Sequence, residues 1–223
     1  MDQITSWDKH WSRLKLKGPL FGVMASFVRR FIFQPAVRFY AQKYFSSQGV
    51  FVEMGCGVAE SSATISSRGR LLVGLDFSLV ALDAARKAGT MGGLLCGDLL
   101  LLPILSRSID GLWNLGVMEH FSEQNLSILL DDFNRVLKKG GTVILFWPTA
   151  LNLSRWVLAP IEWAKGLLSG SKYRFFPDEI SLLNSKTQVR NMLRASGLTP
   201  LSVDFSWRTA FIHMVVVGRK LDL

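Results

Sequence analysis

At 223 residues, 49% of them apolar, the chain has the length for one domain with a substantial core. Its two cysteines, Cys56 and Cys96, exclude a disulfide framework and point to a reducing compartment, the cytoplasm. The formal net charge of +9 is uneven: Lys and Arg outnumber Asp and Glu 8 to 2 in residues 1–48 and 7 to 3 in 155–194, but stand 8 to 10 in 49–150.

Such an excess suits an anionic substrate, a nucleic acid or an acidic membrane surface, and equally a plain solvated face. No signal peptide opens the chain. The longest apolar run, Gly18 to Val28, is interrupted by Pro19 and Ser26 and is too short to span a bilayer. The expectation is a cytoplasmic protein, open to peripheral contact at the inner membrane surface, with no transmembrane segment.

Residues 1–48 read as a helical cap. Ser6 stands as a helix N-cap ahead of Trp7 and Trp11, four apart on one face, and Gly18-Pro19 ends that helix. Residues 20–45 read as further helix, with Phe27, Phe31, Phe39, Tyr40 and Phe45 interleaved with Arg29, Arg30, Arg38 and Lys43. Pro35 marks a kink or boundary. An aromatic, basic helix can pack on a core or lie on a membrane.

From Gly49 strand and helix alternate, which predicts a doubly wound parallel sheet. An apolar strand runs through Val50–Val52 into Glu53-Met54-Gly55-Cys56-Gly57, and a short helix is expected over about Ala59 to Ser67. A second strand, Leu71 to Leu75, ends in Asp76, and Ser78 caps a helix from Leu79 to Ala88 that stops at Gly89. A third strand near Leu94 to Cys96 runs into Gly97-Asp98. The fourth, Ile109 to Trp113, runs into Asn114-Leu115-Gly116-Val117-Met118-Glu119-His120.

Ser122 caps the next helix, whose stripe of Leu126, Leu129, Leu130, Phe133, Val136 and Leu137 faces the sheet. Lys138 and Lys139 are expected in its last turn, before Gly140-Gly141 and an apolar strand from Thr142 to Trp147. Ser185 with Gln188 forms a capping box for a helix reaching about Ala195, and strands over Leu201–Phe205 and Phe211–Val217 close the chain.

The glycine turn separates two families. A dinucleotide site asks for a small residue where Glu60 stands, the position that lets the helix pack on the strand. Glu53-Met54-Gly55-Cys56-Gly57 instead resembles the E-x-G-x-G motif of class I S-adenosylmethionine (SAM)-dependent methyltransferases. The resemblance covers residues 49–147 and, more loosely, the last 40. It extends to Asp76, to Gly97-Asp98, to the Glu119-His120 pair of the small-molecule branch, and to Arg135-Val136-Leu137-Lys138-Lys139-Gly140-Gly141, where Lys139 replaces the usual proline.

The resemblance implies an α/β, Rossmann-like fold: a seven-stranded, mostly parallel sheet in the order 3-2-1-4-5-7-6, strand seven antiparallel, with helices on both faces. It divides the chain into the cap (1–48) and a SAM-binding domain (49–223) carrying an acceptor-recognition insertion at 148–184. It also implies the cofactor contacts. Gly55, Cys56 and Gly57 would line the cofactor turn, with Glu53 under the methionine ammonium. Asp76, next to Phe77, would take the ribose hydroxyls; Asp98 and the Leu99 N–H would meet the adenine. Asn114, Leu115 and Gly116 would wall the methionine moiety. His120 is the candidate general base, its alternative being a structural pair with Glu119. SAM is the implied cofactor and S-adenosylhomocysteine the product.

The inserted stretch, with Arg155, Trp156, Trp163, Tyr173, Arg174 and Phe175, suits an apolar or anionic acceptor. Methylation of a small or lipid-like molecule, at oxygen, is the leading expectation. An RNA methyltransferase, suggested by charge alone, and a silent SAM-fold protein that binds a partner or membrane remain alternatives. His10 and His213 have weaker claims, His213 as a satisfied core residue. No Cys or His spacing fits a metal.

Overall fold

The computed structural model describes residues 26–149, 180–183 and 185–221. Ser6, Trp7, His10 and Trp11, and residues 150–179 with their aromatics and arginines, therefore lie outside the described residues.

Seven strands form one sheet: β1 (Gly49–Met54), β2 (Arg70–Asp76), β3 (Gly93–Cys96), β4 (Ile109–Leu115), β5 (Leu137–Pro148), β6 (Leu198–Phe205) and β7 (His213–Lys220). Their order is β3-β2-β1-β4-β5-β7-β6, as expected. The first five pair in parallel, and β7 runs antiparallel between β5 and β6. Alternate residues of the central strands bury on opposite faces, which is why β5 reads as unbroken apolar sequence from Val143 to Trp147.

Helix α3 (Glu123–Val136) covers one face. Its Leu126, Leu129, Leu130, Phe133 and Val136 are buried against Leu112, Val143, Leu145 and Val216. Burial of side chains this size is worth about 1.5–3 kcal/mol each before entropy is counted. Ser122 begins the helix as expected, its hydroxyl accepting the Asn125 N–H at 3.3 Å. Helix α1 (Gln34–Tyr44) covers the other face, setting Ala36, Val37, Tyr40 and Ala41 on Phe51, Trp113, Phe146 and Val215. Helix α2 (Leu79–Ala88) follows β2, and α4 (Lys186–Ala195) packs against β6 and α3. Ser185 caps α4 by accepting the Gln188 N–H at 3.1 Å.

Three local expectations are corrected. The helix over residues 59–67 shrinks to a single 3₁₀ turn, Glu60–Ser62. The stretch is rich in Ser, whose hydroxyls compete with helical hydrogen bonding, and the Ser62 hydroxyl is drawn inward to a buried acid. Lys138 and Lys139 sit in β5 and not in α3, because the backbone turns extended at Leu137, which pairs with Ile109. The Lys138 ammonium instead holds the Asp110 carboxylate, at 2.8 Å and 3.0 Å, and Asp110 also accepts the Val50 N–H, tying the amino ends of β1 and β4 to β5. Strand β4 continues past Trp113 to Leu115, so Asn114 and Leu115 are strand residues.

Pro35 falls in the first turn of α1, where a missing N–H costs nothing. The chain passes into it through one π-helical turn, Arg29–Phe33.

Candidate functional site

The carboxyl ends of β1, β2, β3 and β4 lie side by side, strands in such a sheet standing about 4.8 Å apart. Register places Glu53 of β1 against Gly74 of β2 and Trp113 of β4, and Asp76 of β2 against Cys96 of β3. Three acids, Glu53, Asp76 and Asp98, and the amide Asn114 are thereby brought to one edge of the sheet, the edge at which open α/β folds bind ligands.

Between β1 and β2 the chain makes the tight turn the glycines foretold. Gly55 and Gly57 both have left-handed backbone, φ 69° and 53°, and a Cβ on Gly55 would stand 2.8 Å from the Val117 side chain. Cys56 is buried beside Gly74, and burial pushes its thiol well above the usual range, so it is no thiolate. Its N–H donates to the Leu75 carbonyl at 2.9 Å, fixing the turn to β2.

Asp76 is 6% exposed. One carboxylate oxygen accepts the Gly57 N–H at 2.8 Å and the other the Ser78 N–H at 2.9 Å. This acid therefore joins the glycine turn to the start of α2, where the Ser78 hydroxyl accepts the Ala81 N–H. A carboxylate only accepts hydrogen bonds, about four in all, which is the chemistry a diol asks for. Asp98 is exposed, its carboxylate accepting the Leu100 N–H at 2.9 Å, while Leu99 is buried. Phe77, between Asp76 and Ser78, is half-buried.

Glu53 is 2% exposed, and its carboxyl accepts from the Ser62 hydroxyl at 2.8 Å. The Ser62 oxygen in turn accepts the Trp113 indole N–H at 3.0 Å. Burial raises the Glu53 pKa to about 8, against the lowering effect of these partners. A carboxyl in such surroundings is costly to ionise unless a cation meets it. Ser62 and Trp113 were not legible as its partners, because a seryl in a run of small polar residues resembles any loop serine.

On β4, Asn114 is fully buried with neither amide oxygen nor nitrogen hydrogen-bonded. A buried amide in that state is costly and marks a place where a polar partner belongs. Leu115 and Gly116 follow, Gly116 with φ 70° and its N–H donated to the Phe146 carbonyl at 3.3 Å.

Residues 52–145 match the family profile described as a methyltransferase domain. Over those residues the chain resembles a SAM-dependent methyltransferase domain. A protein of Encephalitozoon cuniculi that bears a methyltransferase name is 30% identical over 120 residues, 53% of this chain and 54% of that one. The malonyl-[acyl-carrier protein] O-methyltransferase of Hamiltonella defensa is 31% identical over 100 residues, 45% and 38% of the two chains. The chain thus spans about half or less of the curated relatives it matches. Among solved structures, the magnesium protoporphyrin IX methyltransferase of Synechocystis, with S-adenosylhomocysteine bound, superposes with TM-score 0.67 at 20% identity, covering 97% of this chain and 95% of that one. That likeness is one of fold.

Two remaining expected features lie just beyond β4. Met118–His120 is a 3₁₀ turn in which Glu119 is buried and the His120 Nε2 stands 3.8 Å from the Glu119 carboxylate. Burial lowers the His120 pKa to about 4. The Glu119 carbonyl accepts the Ile180 and Ser181 N–H groups, and the Ser181 hydroxyl donates to the Met118 carbonyl at 3.0 Å. The turn therefore also anchors Ile180 and Ser181.

His213, expected as a satisfied core residue, is buried as expected, but its Nδ1 has no hydrogen-bond partner. Its ring meets Phe33 edge-on at 5.1 Å.

Proposed function

We propose that the protein transfers a methyl group from SAM to a small or lipid-like acceptor, at oxygen. The observation that carries the cofactor assignment is Asp76: a buried carboxylate fixed by the Gly57 and Ser78 N–H groups, at the end of the strand next to the glycine turn. It suits the two ribose hydroxyls, with the exposed Asp98 and the buried Leu99, just past the end of β3, for the adenine. Glu53, raised by burial, suits the ammonium of the methionine part, and Asn114, Leu115 and Gly116 suit its flank.

Bound there, SAM supplies an electrophilic methyl group whose leaving thioether is neutral. The chain's own part is to orient and to take a proton. Asp76 and Glu53 fix the two ends of the cofactor, and the turn at Gly55–Gly57 lets backbone lie against it. His120, kept neutral by burial, is the group we assign to accept the acceptor's hydroxyl proton. Oxygen as the methylated atom draws support from the Hamiltonella relative's name. A lipid-like acceptor draws support from the aromatic, basic N-terminal segment. Free thiols at Cys56 and Cys96 agree with action in the cytoplasm, at a membrane surface. No helix of the described residues is long and apolar enough to cross a membrane.

Calorimetric titration with S-adenosylhomocysteine, beside NAD and an Asp76→Ala control, tests the cofactor assignment. Micromolar binding of S-adenosylhomocysteine alone, lost in Asp76→Ala, is the expected outcome. A folded protein that binds neither, or binds NAD, overturns it.

A further inference from the structure

Four aromatic rings face solvent on two adjoining segments. Phe27 and Phe31 are 57% and 60% exposed; Trp207 and Phe211, in the connection between β6 and β7, are 67% and 56% exposed. The segments touch: the π turn Arg29–Phe33 packs on the 3₁₀ turn Trp207–Thr209. The Arg208 guanidinium ties the second segment to α1, lying 3.8 Å from the Phe39 ring centroid and 4.5 Å from that of Trp207. Single exposed apolar side chains are ordinary, whereas a contiguous group of large rings marks a contact surface.

A second observation is in the backbone. Ala210 and Phe211 are consecutive non-glycine residues in the left-handed region, φ 50° and 57°. Such residues cost on the order of 1 kcal/mol or more each and persist where the surroundings impose them. Here the turn is closed by the Ala210 N–H on the Trp207 carbonyl at 2.9 Å and the Phe211 N–H on the Ser206 carbonyl at 3.1 Å. The strain leaves Trp207 and Phe211 facing water, where burial returns nothing.

We propose that this face seats the protein on an anionic phospholipid bilayer. Rings at its centre match the interfacial zone of a bilayer, which takes aromatic side chains, and Arg30 and Arg208 match the lipid phosphates. Carboxylates on adjoining segments are engaged: Glu60 by Arg29 at 3.3 Å and Asp204 by Lys186 at 3.5 Å. The chain's net charge of +9 adds attraction at longer range. A nucleic acid fits the face less well. Phe27 and Phe31 lie against each other at 4.6 Å, and Arg208 occupies one face of Trp207, so few ring faces are open for bases to stack on.

The seat adjoins the cofactor turn. Gln34 donates to the Glu60 carbonyl at 2.8 Å, in the 3₁₀ turn whose Ser62 holds Glu53. A bilayer met here would bring a membrane-resident acceptor to the carboxyl edge of the sheet. That purpose rests on the proposed methyl transfer; the binding itself does not.

The test is flotation of the full chain with phosphatidylcholine vesicles, with and without about 30 mol% phosphatidylglycerol, at ~100 mM salt. Binding to the anionic vesicles is expected, falling by about tenfold or more in Trp207→Glu and in Phe31→Glu. Circular dichroism melting shows that each variant remains folded, and both side chains are exposed enough for substitution. Failure to bind either vesicle, or variants that bind as the parent does, overturns the proposal. So does a single-stranded RNA that binds tightly and displaces the vesicles. S-adenosylhomocysteine titration, read separately, distinguishes loss of the membrane seat from loss of the cofactor site.

Discussion

His120 and Glu53 show how burial sets what a residue can do. The imidazole lies in a 3₁₀ turn beside the Glu119 carboxylate, and desolvation outweighs that neighbour, lowering its pKa to about 4. It is therefore neutral at pH 7, with little basicity. In the unfolded chain the same group titrates near 6.5, so as pH falls below that value the unfolded state takes up a proton the folded state refuses. Stability falls with it, down to about pH 4. His213, lowered to about 3 by burial, acts in the same direction. Nuclear magnetic resonance titration should find the His120 ring unprotonated from pH 8 to about 5; a midpoint above 6 would show the site to be wetter than this. If the ring is the base, His120→Gln should lower kcat by about 10²-fold or more on the identified acceptor while S-adenosylhomocysteine affinity holds. A loss under about threefold would leave it the structural partner of Glu119.

At the scale of elements, what the sequence made legible and what it hid differ by physical cause. Helix α3 was plain, because an apolar stripe at 3.6-residue spacing behind a serine cap has one sensible reading. The strand order came through resemblance, since periodicity alone does not tell which strands are neighbours. Position of the acids at the sheet edge followed, because a parallel strand ending in an acid puts it there. The Ser62 turn was misread as helix, and Lys138-Lys139 as helix end, for a shared reason. Each is decided by a partner distant in sequence, Glu53 and Trp113 for Ser62, Asp110 for Lys138. Local propensity carries no trace of such partners. The caps, being local, were legible, and one makes a clean prediction. Ser122→Ala removes the acceptor for the Asn125 N–H at the start of α3 and should cost about 1 kcal/mol in urea denaturation. Affinity for S-adenosylhomocysteine should not change, since the cap lies beyond the turn that faces the cofactor edge. A loss above about 3 kcal/mol would mean that α3 is more than capped there.

For the whole molecule, the buried acid couples folding to a proton and, on the proposed reading, to the ligand. Glu53 titrates near 4.5 when unfolded and about 8 when folded. Between those values the folded protein keeps a proton the unfolded chain has lost. The stability this proton supports is whole below pH 4.5 and drains away as pH rises through 8. Glu53→Gln abolishes that slope, since an amide carries no charge to desolvate. A bound ammonium reverses the preference, for it favours the carboxylate. Near pH 7 the free protein holds Glu53 protonated, and the free ligand carries its amino group charged. Pairing the two must therefore expel about one proton. S-adenosylhomocysteine affinity should then rise by up to about tenfold per pH unit from 6 to 7.5 and level off above 8, where Glu53 is already ionised in the free protein. Calorimetry in two buffers of different ionisation enthalpy reads the released proton directly. In Glu53→Gln both the release and the slope should vanish while Asp76 still binds the other end. Affinity that is flat with pH in the parent protein, with no proton released, would place the ammonium elsewhere and leave Glu53 to Ser62 and Trp113 alone.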